Sequence, residues 1–231
     1  SDLREFRITW DDKNLYMLIK CDRPGDFWAP YRIIGIDTDG ARGGKVGSKV
    51  LAHGDMDDVS PDRGCYGEIK VAPELACEFT VGIFNSYKGR IWGADGKLIA
   101  SKEAKPDDTP GFMVDDYGWS SVEVAVPWKI LGGAPPYGQT WRFVVGIGQQ
   151  DNDVFREIEK DASEWRGGGG ESSDMFGPDP DVFDLASPDR KTQEFELRSY
   201  DAQGEPGNPD GFAVIKRSYL VVTFSEEKPA K

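Results

Sequence analysis

A chain of 231 residues is long enough for one large β domain with a real core, with 28 Lys and Arg against 41 Asp and Glu for a net charge of −13. That surface repels nucleic acid and anionic lipid, both of which are gripped chiefly through Lys and Arg, and it suits neutral ligands or divalent cations. No apolar run approaches the ~20 residues that span a bilayer, so no membrane insertion is expected. The sequence starts abruptly at Ser1 inside a strand pattern and reads as a mature or excised segment, so the absence of a leader says nothing about export.

The first element is a hairpin. Phe6, Ile8 and Trp10 alternate along one arm and Leu15, Met17 and Ile19 along the other, around the polar turn Asp11-Asp12-Lys13-Asn14. Period-two alternation broken by turn formers predicts two antiparallel strands, and Asp and Asn suit the turn because they hydrogen-bond their own backbone. Further strands are expected at 31–37, 65–72, 77–85, 90–93, 121–127, 141–147, 193–200 and 212–224, each short and bounded by Gly, Pro, Asp or Asn. Gly93-Ala94-Asp95-Gly96-Lys97 is a hairpin turn, since Asp-Gly accepts positive φ. One amphipathic helix is expected at 154–165, with Val154, Phe155, Ile158, Ala162 and Trp165 on one face and Asp151, Asn152 or Asp153 as cap. Trp128-Lys129-Ile130-Leu131-Gly132 also reads as a coiled turn. Many short strands without regular intervening helices predict an all-β antiparallel sandwich, jelly-roll or immunoglobulin-like, over 1–224, with 225–231 as tail or linker. The polar stretches 38–63 and 167–192 are long loops.

Three cysteines, Cys21, Cys65 and Cys77, leave at least one unpaired. If 64–72 and 77–85 paired through Ala72-Pro73-Glu74-Leu75, Cys65 and Cys77 would stand about 20 Å apart, against the ~7 Å a disulfide tolerates. Buried free thiols are the expectation. With one histidine, His53, and no Cys-x-x-Cys pair, a zinc site is disfavoured.

Taken in order, the Phe6–Tyr16 hairpin, Ile34-Gly35-Ile36-Asp37-Thr38-Asp39-Gly40, Val122-Glu123-Val124-Ala125-Val126-Pro127-Trp128, Val144-Val145-Gly146-Ile147-Gly148-Gln149-Gln150-Asp151 and Ala162-Ser163-Glu164-Trp165-Arg166-Gly167-Gly168-Gly169 carry a family resemblance over roughly residues 3–200. The chain resembles the C-terminal binding module of glucodextranases and of family 57 amylopullulanases, one of the DOMON-like sandwiches related to family 9 carbohydrate-binding modules. The resemblance implies an extracellular or cell-surface β-sandwich that binds glycan, often holds structural calcium, and is linked to polysaccharide-degrading or surface-layer domains. The Asp-rich loop 38–63 and the three cysteines depart from the family pattern.

Seven Trp and eight Tyr supply many rings for stacking on sugars. Trp10, Trp128 and Trp141 share parity or turns with apolar neighbours and are expected in the core, as is Trp165. Trp28, Tyr31, Trp92, Tyr117 and Trp119 fall among glycines and polar residues in loops or at strand ends and are the candidate sugar contacts; plugging the sandwich ends is the competing role. Asp37-Thr38-Asp39-Gly40 opens like a calcium loop, with oxygens two apart and a glycine for the turn, but position twelve is Ser48 rather than an acid. Asp37, Asp39, Asp151 and Asp153 are therefore candidate calcium ligands, and a solvated acidic loop with a helix cap is the alternative. Glu68, Glu78 and Glu123 admit a glycosidase pair about 5–9.5 Å apart, without parity to favour one, and no nucleophile elbow accompanies His53. The expectation is a non-catalytic module for neutral polysaccharide or oligosaccharide, α-glucan foremost. A structural, adhesion or anchoring sandwich without sugar stands second and a glycoside hydrolase third.

Overall fold

The structure, a computed structural model, describes residues 3–21, 30–40, 43–44, 47, 51, 70–83, 89–102, 113–116, 121–149, 154–155, 184–193, 196 and 214–226. It is the expected antiparallel β-sandwich. Strands β1 (Leu3–Trp10), β2 (Asn14–Cys21), β8 (Met113–Asp116) and β9 (Ser121–Pro127) form a four-stranded sheet in the order β1-β2-β9-β8. An eight-stranded sheet is built on β10 (Thr140–Gln149), β3 (Pro30–Asp37), β5 (Phe79–Ile83), β6 (Gly89–Gly93) and β7 (Leu98–Ser101). The other edge of β10 carries three short strands in succession: β14 (Leu220–Thr223) on Thr140–Phe143, β12 (Asp184–Leu185) on Gly146–Ile147, and β11 (Val154–Phe155) on Gly148–Gln149.

The opening hairpin forms in the expected register, Trp10 opposite Leu15 and Phe6 opposite Ile19. Asp11 holds its turn, accepting from Lys13 N at 2.7 Å, Asn14 N at 2.8 Å and Tyr16 Oη at 2.9 Å. Alternation puts Leu15, Met17 and Ile19 inward, where they meet Val122, Val124 and Val126 of β9 and, from the facing sheet, Ile34, Ile36, Val81, Ile83, Ile91, Phe143, Val145 and Ile147 in one cluster. Phe224, fully buried, closes one end of it against Trp10 (4.8 Å between centroids), Trp141 (4.9 Å) and Trp128 (5.8 Å). All three tryptophans thus occupy their expected core places, Trp10 at the partly buried margin.

The larger sheet is buried on both faces. Ile33, Gly35 and Asp37 of β3 and Val144 of β10 alternate with the core-facing residues and are buried as well. Leu51 and Cys77 lie over Gly35: a Cβ there would fall 2.8 Å from both Cys77 Sγ and Leu51 Cδ2, so only glycine admits this layer.

Four expectations are corrected. Val154–Phe155, assigned to a helix, pair as a strand with β10; residues 156–165 lie outside the described residues. Lys70–Val71, the described end of the expected 65–72 strand, do not pair with β5: they form β4 and pair in parallel with β13 (Val214–Ile215), and Pro73–Leu75 form a single 3-10 turn. The run 212–224 breaks at 216–219 between β13 and β14, and residues 190–193 form a helical turn where a strand was expected from 193. Strand β7 was implied only by the 93–97 hairpin turn, and β8 was not anticipated. Cys21 and Cys77 are buried thiols, as expected; Cys65 lies outside the described residues. Among the described residues no helix is long and apolar enough to cross a membrane.

Candidate functional site

Strand register assembles a charged cluster at one end of the larger sheet. Ile36 pairs with Phe143 on one side and Phe79 on the other, so Asp37, the next residue, stands between Arg142 and Glu78. The turn Thr38-Asp39-Gly40 follows and brings Asp39 to the same place. Asp37, Asp39 and Glu78 each offer a carboxylate oxygen within 4.8 Å of the others.

The three carboxylates differ in what already holds them. Asp37 is 1% exposed and saturated: Oδ1 accepts from Asp39 N at 3.2 Å and Gly40 N at 2.6 Å, and Oδ2 from Arg142 Nε at 2.7 Å and Nη2 at 2.5 Å. A carboxylate has about four acceptor positions, and all of Asp37's are used to shape the turn and bind the guanidinium. Arg142 is itself fixed by the Glu74 carbonyl and by the Tyr219 ring, 5.3 Å from its Cζ. Glu78 is half satisfied: Oε2 accepts from Thr38 N at 2.5 Å and Thr38 Oγ1 at 2.8 Å, while its buried Oε1 has no hydrogen-bond partner. Asp39 Oδ1 is likewise buried without one.

Burial pushes the Glu78 carboxyl above its usual range, and the charges of Asp39 and Asp37 add to this against the two Thr38 hydrogen bonds. The neighbouring Cys77 thiol is raised well above its ordinary value by burial first and then by Asp37 and Glu78, so it stays protonated and unreactive in place.

Three carboxylates against one guanidinium leave a formal charge of −2. Two buried carboxylate oxygens without donors, in a cluster this close, are costly unless a proton or cation meets them. The donor set is all oxygen, which suits a hard divalent ion such as Ca²⁺ at 2.3–2.6 Å and suits zinc poorly. Asp39 and Glu78 are the residues that could ligate it, with Asp37 providing charge and shape.

Of the candidates read from the sequence, Asp37 and Asp39 therefore come together, and Asp151 and Asp153 lie outside the described residues. Glu78 was singled out only as a strand acid; its partnership follows from the β3–β5 pairing, which spacing along the chain does not reveal. Among the aromatic candidates, Trp28, Tyr117 and Trp119 lie outside the described residues, and Tyr31 is described only as a backbone position in β3. Trp92 sits on β6 opposite Thr80, on the face away from the core cluster, and is 8% exposed, which leaves little ring face for a ligand. Glu123 belongs to β9 in the smaller sheet and Glu78 to the margin of the larger, so they line no common strand pair; Glu68 lies outside the described residues.

Comparison with known families matches residues 68–207, more than half of the chain, to the family described as the C-terminal binding module, SLH-like, of glucodextranase. A search of curated proteins finds no match.

Proposed function

The chain belongs to the family of glucodextranase C-terminal binding modules, and on that premise we propose that it is a non-catalytic module that binds neutral glycan outside the cell or at its surface, covalently joined to polysaccharide-active or surface-layer domains. The family match is the observation that carries this reading. The net charge of −13 favours a neutral glycan, because an acidic one would be repelled. α-Glucan is the first choice of ligand. Trp28, Tyr31, Tyr117 and Trp119 are the proposed ring contacts; Trp92, buried, is the weakest of the original five.

The reading includes one structural calcium ion. Its support is the pair of donorless buried oxygens, Asp39 Oδ1 and Glu78 Oε1, beside the saturated Asp37–Arg142 pair. The ion would neutralise the −2 cluster and tie the β3 turn to the start of β5, and it takes no part in a reaction. Because the ion binds the native form alone, it raises the melting temperature.

Titration of the chain against starch, pullulan, dextran, cellulose and xylan tests the sugar reading. Saturable binding to at least one glucan is expected, weakened about tenfold, or ~1.4 kcal/mol, by Trp28→Ala or Trp119→Ala. Absence of saturable binding to all five removes it. The SLH-like description of the family favours a second reading, a surface-anchoring module with no soluble sugar ligand; retention on isolated cell walls without binding to any of the five polysaccharides would select it.

A further inference from the structure

The end of the sandwich that carries the Asp11–Asn14 turn also carries the connection from β9 to β10, residues 128–139. This loop is fastened on both sides. Trp128 N donates to Lys13 O at 2.9 Å and Trp128 Nε1 to Asp11 O at 2.7 Å. Gly138 N donates to Phe224 O at 2.8 Å, and Phe224 N to Gln139 O at 2.9 Å. Pro135 and Pro136 fix φ at two successive positions, Tyr137 N donates to Pro135 O at 3.0 Å, and Gly138 (φ 78°) turns the chain into β10. The loop leaves and rejoins the sheets at Trp128 and Trp141, buried rings that meet edge-on at 6.1 Å.

This braced loop presents Tyr137, which is 37% exposed. It is the one aromatic among the three exposed large apolar side chains of the described residues, the others being Leu98 and Val221. Its hydroxyl donates to Asp12 Oδ1 at 3.1 Å, so ring and backbone are both held. Desolvation raises that hydroxyl above its ordinary value, and the Asp12 hydrogen bond and the charges of Asp12, Glu226 and Asp11 add to it. Carboxylates therefore surround the ring. Asp11 is spent on Lys13 N, Asn14 N and Tyr16 Oη. Asp12 and Glu226 are exposed, and Asp12 gives Tyr137 only one of its roughly four acceptor positions.

A fixed ring beside exposed carboxylates matches the two surfaces of a pyranose: an apolar C–H face and a rim of hydroxyl donors. Stacking on a ring already held costs little conformational entropy. A protein partner fits poorly, since one ring among glycines and charged residues falls far short of the roughly 800 Å² per side that a stable protein interface buries. The surrounding acids repel an anionic ligand and leave a neutral one.

We propose that Tyr137, Asp12 and Glu226 form a glycan contact, in which the ring stacks on the C–H face of one hexopyranose unit of a neutral glucan and the two carboxylates accept from its hydroxyls. This contact rests on the glycan reading and adds a place to it. Strand β3 begins at Pro30, opposite Gln149, and β9 at Ser121, opposite Lys20, both at the far end of the sandwich from the Asp11–Asn14 turn. The eight residues of β2 put about 23 Å between the two ends.

The test is calorimetric titration of the full chain with soluble starch, pullulan and dextran, alongside melting temperatures of each variant. Tyr137→Ala should weaken binding to the glucan that binds the parent by about tenfold. Tyr137→Phe and Tyr137→Trp, which keep a ring, should stay within about threefold of the parent. Asp12→Ala keeps the ring but releases its hydroxyl and removes an acceptor, so it should weaken binding by about threefold or more. Losses that follow the ring, with the melting temperatures of Phe and Ala variants alike, would separate ligand contact from a structural role. Saturable binding that neither Tyr137→Ala nor Asp12→Ala changes would overturn this contact and spare the glycan reading. Equal losses in the Ala and Phe variants would overturn the stacking role. No saturable binding by the parent to any of the three glucans would overturn the contact outright, while binding to cellulose or xylan would still leave a glycan module.

Discussion

Replacing Arg142 by Met should be among the most damaging single changes to this end of the sandwich. The side chain is 12% exposed and its partner Asp37 only 1%, so the pair is desolvated. Met keeps most of the aliphatic volume but strips both donors from Asp37 Oδ2, frees the Glu74 carbonyl and removes the cation from above Tyr219. Asp37 then keeps only the Asp39 and Gly40 amides at Oδ1, and the cluster charge goes from −2 to −3. Breaking one side of a buried pair costs about 3–5 kcal/mol, because the other charge is stranded. At 2–4 °C per kcal/mol for a domain of this size, the melting temperature should fall by about 6–20 °C. Adding Asp37→Asn removes the stranded charge, so the double variant should recover at least half of the loss in urea unfolding. Calcium should stabilise Arg142→Met more than the parent, since it meets one more uncompensated charge. A loss below about 1 kcal/mol, or a double variant no more stable than Arg142→Met, would refute the account of Arg142 as the cluster's only compensating charge among the described residues.

Phe224→Ala should cost about 3–5 kcal/mol in urea unfolding, since it empties the space between Trp10, Trp128 and Trp141; a loss under about 1 kcal/mol would mean that those rings close the gap unaided. Asp11 contributes to the acid limb of the stability curve. Burial raises its carboxyl, but hydrogen bonds from Lys13 N, Asn14 N and Tyr16 Oη, with the Lys13 charge, outweigh that and leave it below its ordinary 3.8. A folded pKa lower than the unfolded one means that the unfolded chain binds more protons between the two, so this contribution is present above about pH 3.8 and lost as pH falls through the folded value. Asp11→Asn should therefore be less stable than the parent at pH 7, with the difference narrowing at acid pH; a constant difference would show that the charge contributes nothing.

Elements with one wet face were readable from the sequence, because alternation records which side meets water. The β1–β2 hairpin and β9 are of this kind. Strands β3 and β10 were readable for a different reason, the β-branched runs Ile33-Ile34 and Val144-Val145. What alternation cannot record is a second layer on the outer face. Leu51 and Cys77 sit in stretches without periodicity, and their burial is set by the absence of a side chain at Gly35. Trp92 is a parallel case: next to a glycine turn it reads as an exposed ring, but it sits on the face away from the core cluster and is buried there as well. The apparent helix at 154–155 failed because two residues of apolar spacing fit a strand as well as a helix, and the free edge of β10 decided between them. Of the carboxylate cluster, the Asp37–Asp39 half is local and was visible. Glu78 and Arg142 join it only through the order β10-β3-β5, a fact of tertiary pairing.

The position of β10 also bears on where this protein can be cut. Its first edge is taken by β3, from near the start of the chain, and its second by β14, from near the end. The stretch matched to the family, 68–207, contains β10 but neither of those strands, and it lacks the β1–β2 hairpin and Phe224 too. A fragment trimmed to the matched stretch would expose the whole β3 edge of β10 and the Thr140–Phe143 part of the other, and open the main core from both ends, inviting association with other chains in place of folding. The stretch that matches the family is therefore shorter than the span of described residues that closes this core, which runs from Leu3 to Phe224.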